Sequence, residues 1–162
     1  MEPYYLDHDI TLLCLKADSF PDGVMAAWER LYSLLGSGEG RHAFGISWSD
    51  GKGGIIYKAA VAERFAGEAE QLGFETHVVK KGEYSSIFIP DFSSDMQCFS
   101  RAFSELITDP RLDPEGMCVE MYPTRESVRC MVRLDPAKAG AAAKDNSASA
   151  AANPSYMVLP KS

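Results

Sequence analysis

Apolar positions along the chain change period in an order that occurs twice. Ile10 to Leu15 reads as an apolar strand, and Ser19-Phe20-Pro21-Asp22 then looks like a helix start with Ser19 as its cap. Val24, Trp28, Leu31 and Leu35 recur at helical spacing until Gly36-Ser37-Gly38 stops the run. Two strands follow, His42 to Ser49 and Ile55 to Val61, joined by the turn Asp50-Gly51-Lys52-Gly53-Gly54. One unit is therefore strand, helix, hairpin.

The same order returns from Phe74. A strand runs to Val79, Lys81-Gly82 turns, and Tyr84 to Ile89 is a further strand. Ser94-Asp95-Met96-Gln97 has the capping-box pattern, opening a helix whose apolar face is Met96, Phe99, Phe103 and Leu106. Asp109-Pro110 ends that helix, and Met117 to Tyr122 and Val128 to Leu134 form a hairpin around Pro123-Thr124-Arg125-Glu126. Val24, Ala27, Leu31 and Leu34 align with Met96, Phe99, Phe103 and Leu106 at a constant offset of 72, and Trp48 falls on Tyr122 at an offset of 74. The expectation is an α+β fold of duplicated strand-helix-hairpin (β-α-β-β) repeats, roughly residues 8–65 and 74–135. They form an antiparallel sheet with two main helices and a central ligand cleft.

Composition changes sharply near Leu134-Asp135-Pro136. Residues 136–162 are rich in Ala, Ser, Lys and Asn without a sustained apolar stripe, and read as a flexible tail on a single domain of residues 1–135. Tyr156-Met157-Val158-Leu159-Pro160 is apolar again. The whole chain carries −7, but the tail holds Lys138, Lys144 and Lys161 against Asp145 alone, so the domain has 13 basic against 22 acidic residues, or −9. Such a surface repels nucleic acid and favours a cationic partner.

The four cysteines, Cys14, Cys98, Cys118 and Cys130, show no C-x-x-C spacing and lie in apolar runs, which reads as buried reduced thiols in a reducing cytoplasm. The start, MEPYYLDHD, lacks the basic and apolar regions of a signal peptide, and no apolar run reaches membrane-spanning length. A cytoplasmic protein without a membrane partner is expected.

Chemistry concentrates in the two hairpins. Val119 and Met121 share one face of their strand while Glu120 and Tyr122 share the other; Phe44, Ile46 and Trp48 share a face, as do Ile55, Tyr57 and Ala59 on the partner strand. Aromatics thus accompany a carboxylate where the repeats meet. Trp28, in a helical stripe, reads as core. His8, His42 and His77 have no ligand partners at metal spacing, so no metal is expected. Gly36 to Gly40 follows a helix and lacks the Lys-Ser/Thr of a P-loop, and Gly45-Ile46-Ser47-Trp48-Ser49 misses the last Gly of a nucleophile elbow.

Four pieces, Phe44-Gly45-Ile46-Ser47-Trp48-Ser49-Asp50, Ile56-Tyr57-Lys58-Ala59, Lys81-Gly82-Glu83-Tyr84 and Val119-Glu120-Met121-Tyr122, make the chain similar to the GyrI-like, or AraC-type effector-binding, family over roughly residues 8–135. The linker Gly36 to Gly40 and the Ala-rich tail depart from the family form. The resemblance implies a small-molecule-binding domain for lipophilic, often cationic or planar compounds, without a cofactor, in which Glu120 faces an aromatic cleft. Tyr57, Tyr122, Trp48, Tyr84 and Phe44 are the expected ligand-binding companions of Glu120.

A carboxylate among rings suits a ligand cation, because ring faces add cation–π attraction without demanding one shape. Three function classes follow from the resemblance. The first is a stand-alone binding protein; fewer than ten residues precede the first expected strand, too few for a helix-turn-helix, so direct DNA binding is not expected. The second is a hydrolase of reactive cyclopropane-bearing compounds, with Glu120 as general base or cation stabiliser and Tyr57 or Tyr122 as proton donor or orienter. The third is a protein-interaction role, with DNA gyrase or a regulator as partner.

Overall fold

A computed structural model describes residues 1–139; the tail from residue 140 on, with the apolar stretch Tyr156 to Pro160, lies outside the described residues. In chain order the elements are β1 (Glu2–Leu6), β2 (Ile10–Lys16), α1 (Val24–Leu35), β3 (Ala43–Ser49), β4 (Ile55–Ala62), α2 (Glu68–Leu72), β5 (Glu75–Val79), β6 (Gly82–Ile89), α3 (Cys98–Leu106), β7 (Cys118–Tyr122), β8 (Val128–Arg133) and α4 (Pro136–Ala139). The class is α+β. All eight strands pair antiparallel in one sheet, in the order β1-β6-β8-β7-β3-β4-β2-β5.

That order explains the curvature of the sheet. β1 is an edge strand and β2 lies one strand from the opposite edge, yet Leu6 and Ile10 are only four residues apart, a reach of at most about 14 Å. The sheet therefore curls into a half-barrel. Its concave face closes on itself: Leu6, Leu12, Phe44, Ile46, Ala60, Val79, Tyr84, Val119 and Met131, drawn from every strand, pack as one cluster. The other face carries the two long helices. α1 packs Ala27 and Leu31 on Leu13, Tyr57, Ala59 and Val61, and α3 packs Ala102, Phe103 and Leu106 on Cys118, Val128, Cys130 and Val132.

The internal duplication is visible in the pairing. β2-α1-β3-β4 and β6-α3-β7-β8 meet along β3 and β7, whose ladder is centred on Gly45 opposite Glu120. By this register the counterpart of Tyr122 is Ser47 rather than Trp48. β1 precedes β2 but pairs with β6, and β5 precedes β6 but pairs with β2, so each unit lends its leading strand to the other. The first unit thus begins at Glu2, before the first strand that hydrophobic patterning marks.

Both helix starts differ from the expected caps. Gly23, with no side-chain cap, precedes α1, and the Ser19 carbonyl accepts the Gly23 amide at 3.2 Å. α3 begins at Cys98: the Ser94 hydroxyl bonds back to the Asp91 carbonyl, Asp95 Oδ1 accepts the Gln97 amide, and Met96 stays exposed ahead of the helix. Aspartate-centred turns have taken the role assigned to the capping box.

No helix among the described residues is long and apolar enough to cross a membrane. The four cysteines are free, and Cys14, Cys118 and Cys130 are buried. Burial pushes the Cys14 thiol up to about 11 and raises Cys118 and Cys130 as well. Iodoacetamide at pH 8 is therefore expected to label half-buried Cys98 first, and the other three only on unfolding; mass mapping of a time course checks this.

Candidate functional site

Strand alternation places Glu120 and Tyr122 of β7 on the helix-bearing face. Across the sheet, β3 lies beside β7 and pairs Ser47 with Tyr57 of β4, so Tyr57 rises on the same face. Gly45, between Glu120 and Ala59 in the ladder, contributes no side chain there. A Cβ at Gly45 would overlap the Glu120 carboxylate and the Tyr57 hydroxyl. The missing side chain is what leaves room for the carboxylate.

The polar contacts form a short chain. Tyr57 donates to Glu120 Oε1 at 3.0 Å, Tyr122 donates to the same oxygen at 2.5 Å, and Trp28 Nε1 donates to the Tyr57 hydroxyl at 3.2 Å. Glu120 is only 6% exposed. Burial raises its pKa, partly offset by the two tyrosine hydrogen bonds, while burial and then the carboxylate charge push both tyrosines well up. Cys130, directly opposite Glu120 on β8, is raised by burial and by the same carboxylate.

Glu120 differs from the other buried carboxylates. Glu68 pairs with Arg41, Asp109 with Arg111 and Asp113 with Arg133. Among the described residues no cation pairs with Glu120; its neighbours are rings. Phe20 stacks on Tyr57 with centroids 5.8 Å apart, Trp28 meets Tyr122 edge-on at 5.9 Å, and Phe92 meets Tyr122 at 5.6 Å and Phe99 at 5.5 Å. The rings come from α1, α3 and the segments preceding them, and they pack on the two tyrosines that hold the carboxylate.

Three of the six residues expected at the site, Glu120, Tyr57 and Tyr122, are thus brought together. The other three lie on the concave face. Phe44 and Tyr84 are buried in its core, the Tyr84 hydroxyl donating to the Lys80 carbonyl at 2.5 Å. Trp48 lies against His77 at 5.1 Å, with Lys58 Nζ 5.3 Å from its ring centroid. The reason is register: β3 and β4 pair Phe44 with Ala60 and Trp48 with Ile56, which sets Trp48 and Phe44 back to back with Tyr57.

Trp28, Phe20, Phe92, Phe99 and Gly45 belong to the cluster but did not stand out in the sequence. Trp28 does pack with the core under α1, as its helical spacing implied, and in addition gives its indole N–H to the site. Gly45 lies inside one of the motifs that carry the resemblance, and only its overlap with two side chains reveals its role. Among the described residues no three His, Cys, Asp or Glu side chains gather as a metal site.

No protein-family model matches the sequence. No curated protein matches it either. Among solved structures, an integron cassette protein from the mobile metagenome of Vibrio cholerae aligns over 83% of this chain and 95% of its own, at 11% identity and a TM-score of 0.56. The protein SAV2435, solved with tetraphenylphosphonium bound, aligns over 85% of this chain and 94% of its own, at 11% identity and a TM-score of 0.55. A hydrolase from Listeria innocua covers 83% and 90% at 13% identity, but its TM-score of 0.46 is too low for a functional comparison. At such identities the likeness to the first two is one of fold, and the chain shares that fold over most of its length.

Proposed function

We propose that this protein binds lipophilic cations in an aromatic cleft that opens between α1 and α3, with Glu120 as counter-ion, in the manner of the GyrI-like effector-binding proteins it resembles. The observation that carries the reading is a buried carboxylate that pairs with no cation among the described residues and is held by two tyrosines within a cluster of aromatic rings. Folding has already stripped most of the water from Glu120, so an arriving cation gains attraction in a low-dielectric site at little further desolvation cost to the carboxylate. Each ring face adds about 0.5–2 kcal/mol of cation–π attraction. That a protein of this fold is solved with a phosphonium cation bound supports the same ligand class.

Entry requires the rings of Phe20, Trp28 and Phe92 to part. They sit on one helix and two connecting segments, so side-chain rotation opens the cleft without breaking the sheet. Rings and one charge, rather than many directed hydrogen bonds, give broad selectivity.

The test is calorimetric titration of the wild type and Glu120→Gln with tetraphenylphosphonium and with neutral triphenylphosphine oxide. Gln keeps the acceptor for both tyrosines but removes the charge. Phosphonium affinity is expected to fall about 30-fold or more, the lower end of the loss on removing one partner of a buried charge pair. The neutral compound should bind within about twofold of the wild type, since its contacts are apolar. Equal losses for both compounds would overturn the counter-ion role.

A further inference from the structure

We propose that the cleft takes up its cation in exchange for a proton carried by Glu120. The inference rests on the cation-binding reading above and adds what the site holds before the ligand arrives. Tyr57 and Tyr122 both donate to Oε1, and Oε2 accepts no hydrogen bond among the described residues. One oxygen accepts from two hydroxyls; the other accepts from no protein group among the described residues and is the place for a proton.

The groups facing the carboxyl offer no other way to neutralise it. β4 presents Tyr57, β7 presents Tyr122 and Cys118, and β8 presents Cys130. α1 presents Trp28, with Tyr32 behind it, and α3 presents Cys98 toward Cys130. All are phenols, thiols or an indole. Burial pushes Tyr57, Tyr122, Cys118 and Cys130 upward, so these groups keep their protons and none acts as a base. Burial raises Glu120 in the same way, whereas arginine holds Glu68 and Asp109 below the usual carboxylate range.

The step balances without a co-reactant. As the cation settles among the rings, the O–H bond at Glu120 Oε2 breaks, the electron pair stays on that oxygen, and the proton passes to solvent buffer. The site changes from a neutral acid to a carboxylate–cation pair and remains neutral overall. Proton and ligand then compete, so affinity for a permanent cation rises up to about tenfold per pH unit while Glu120 is protonated, and levels off once it is ionised in the free protein. A neutral ligand displaces no proton and shows no such slope.

The experiment is titration of the wild-type protein with tetraphenylphosphonium chloride at several pH values between 5 and 8. Each pH is measured in two buffers of different ionisation enthalpy, such as phosphate and imidazole at pH 6.5. The difference in heat reports protons released per cation bound. Proton release that is greatest at the acid end and falls toward none as pH rises is expected, with affinity climbing in parallel. Glu120→Gln should bind more weakly and release none.

Equal heats in both buffers at every pH, with the cation still bound, would overturn the exchange and leave cation binding standing. Release that persists in Glu120→Gln would overturn it also, by assigning the proton to another group. Failure of the cation to bind at any pH would instead remove the functional reading and the exchange with it.

Discussion

Gly45→Val is expected to abolish phosphonium binding while the protein still unfolds cooperatively. Gly45 lies in the centre of the sheet, flanked by Glu120 on β7 and Ala59 on β4, so its backbone cannot retreat from either neighbour. Its backbone is ordinary extended chain, and the penalty is steric. Even a methyl group at this position would overlap the Glu120 carboxylate and the Tyr57 hydroxyl, and valine's two γ-methyls would extend that volume into the cleft. The carboxylate and hydroxyl would have to part, breaking the 3.0 Å bond that holds Glu120 Oε1.

Inserting bulk into a packed region costs about 1–3 kcal/mol, small enough for a folded variant. Affinity for the cation should fall by more than about 100-fold, because displacing the charge adds to filling the space. Gly45→Ala is expected to lie between the two. Urea unfolding gives the stability and calorimetry the affinity; binding by Gly45→Val within about threefold of the wild type would show that the ligand does not sit over this carboxylate.

The contrast between Gly45 and Trp48 shows how far the sequence reaches. Alternation within one strand is fixed by the backbone, which is why Glu120 and Tyr122 could be placed on one face from Cys118-Val119-Glu120-Met121-Tyr122 alone. Grouping residues across a hairpin needs the register, and a slip of one residue turns every side chain over. In the first hairpin that register depends on the turn 50–54, where Asp50 Oδ1 accepts the amides of Lys52 at 2.7 Å and Gly54 at 3.0 Å and brings Ser49 opposite Ile55. One more turn residue would have set Trp48 beside Tyr57. The side chain that decides the matter is an ordinary turn aspartate in the sequence.

Non-local pairing hid the remaining pieces. β1 is short and contains Pro3, and its stability comes from β6, about eighty residues later, so its own sequence marks it as a strand only weakly, through Tyr4 and Tyr5. The Phe92 ring sits in a connection between Asp91 and Ser93, where local composition says only that the chain turns. The repeat itself was legible because helix faces tolerate small errors in boundary. Trp48 and Tyr122, one residue out of register, could not be matched by the same means.

Glu68→Ala is expected to destabilise the fold by about 3–5 kcal/mol, the range for removing one partner of a buried ion pair. Arg41, just before β3, donates to Glu68 Oε1 and Oε2 at 2.7 and 2.8 Å, and the Arg64 amide donates to Oε1 at 2.9 Å. The two side chains are 5% and 7% exposed. Arg41 Nε is buried and has no partner among the described residues, so Glu68 carries nearly all the compensation of that guanidinium. α2 is a five-residue helix between Gly67 and Gly73, too short to hold itself, and this pair fastens it to the sheet. Arg41→Met with Glu68→Met should recover much of the loss, because neither charge is then stranded. No recovery in the double variant would show that the pair's geometry, and not its charge balance, holds α2.

The same pair sets a pH dependence opposite to that of the cleft. Hydrogen bonds from Arg41 hold the Glu68 pKa at about 2, against an ordinary 4.5. A folded-state value below the unfolded one stabilises fully above about pH 4.5 and is lost as pH falls toward 2. Glu120 is raised by burial, so its contribution is full below the ordinary value and is lost as pH rises through the raised one. Glu68→Gln should therefore flatten the acid limb of a stability–pH curve. Glu120→Gln should leave that limb in place and lift the neutral side. Unfolding measured from pH 3 to 8 in both variants separates them; the same change of slope in each would mean that one of the two carboxylates is not in the electrostatic setting described.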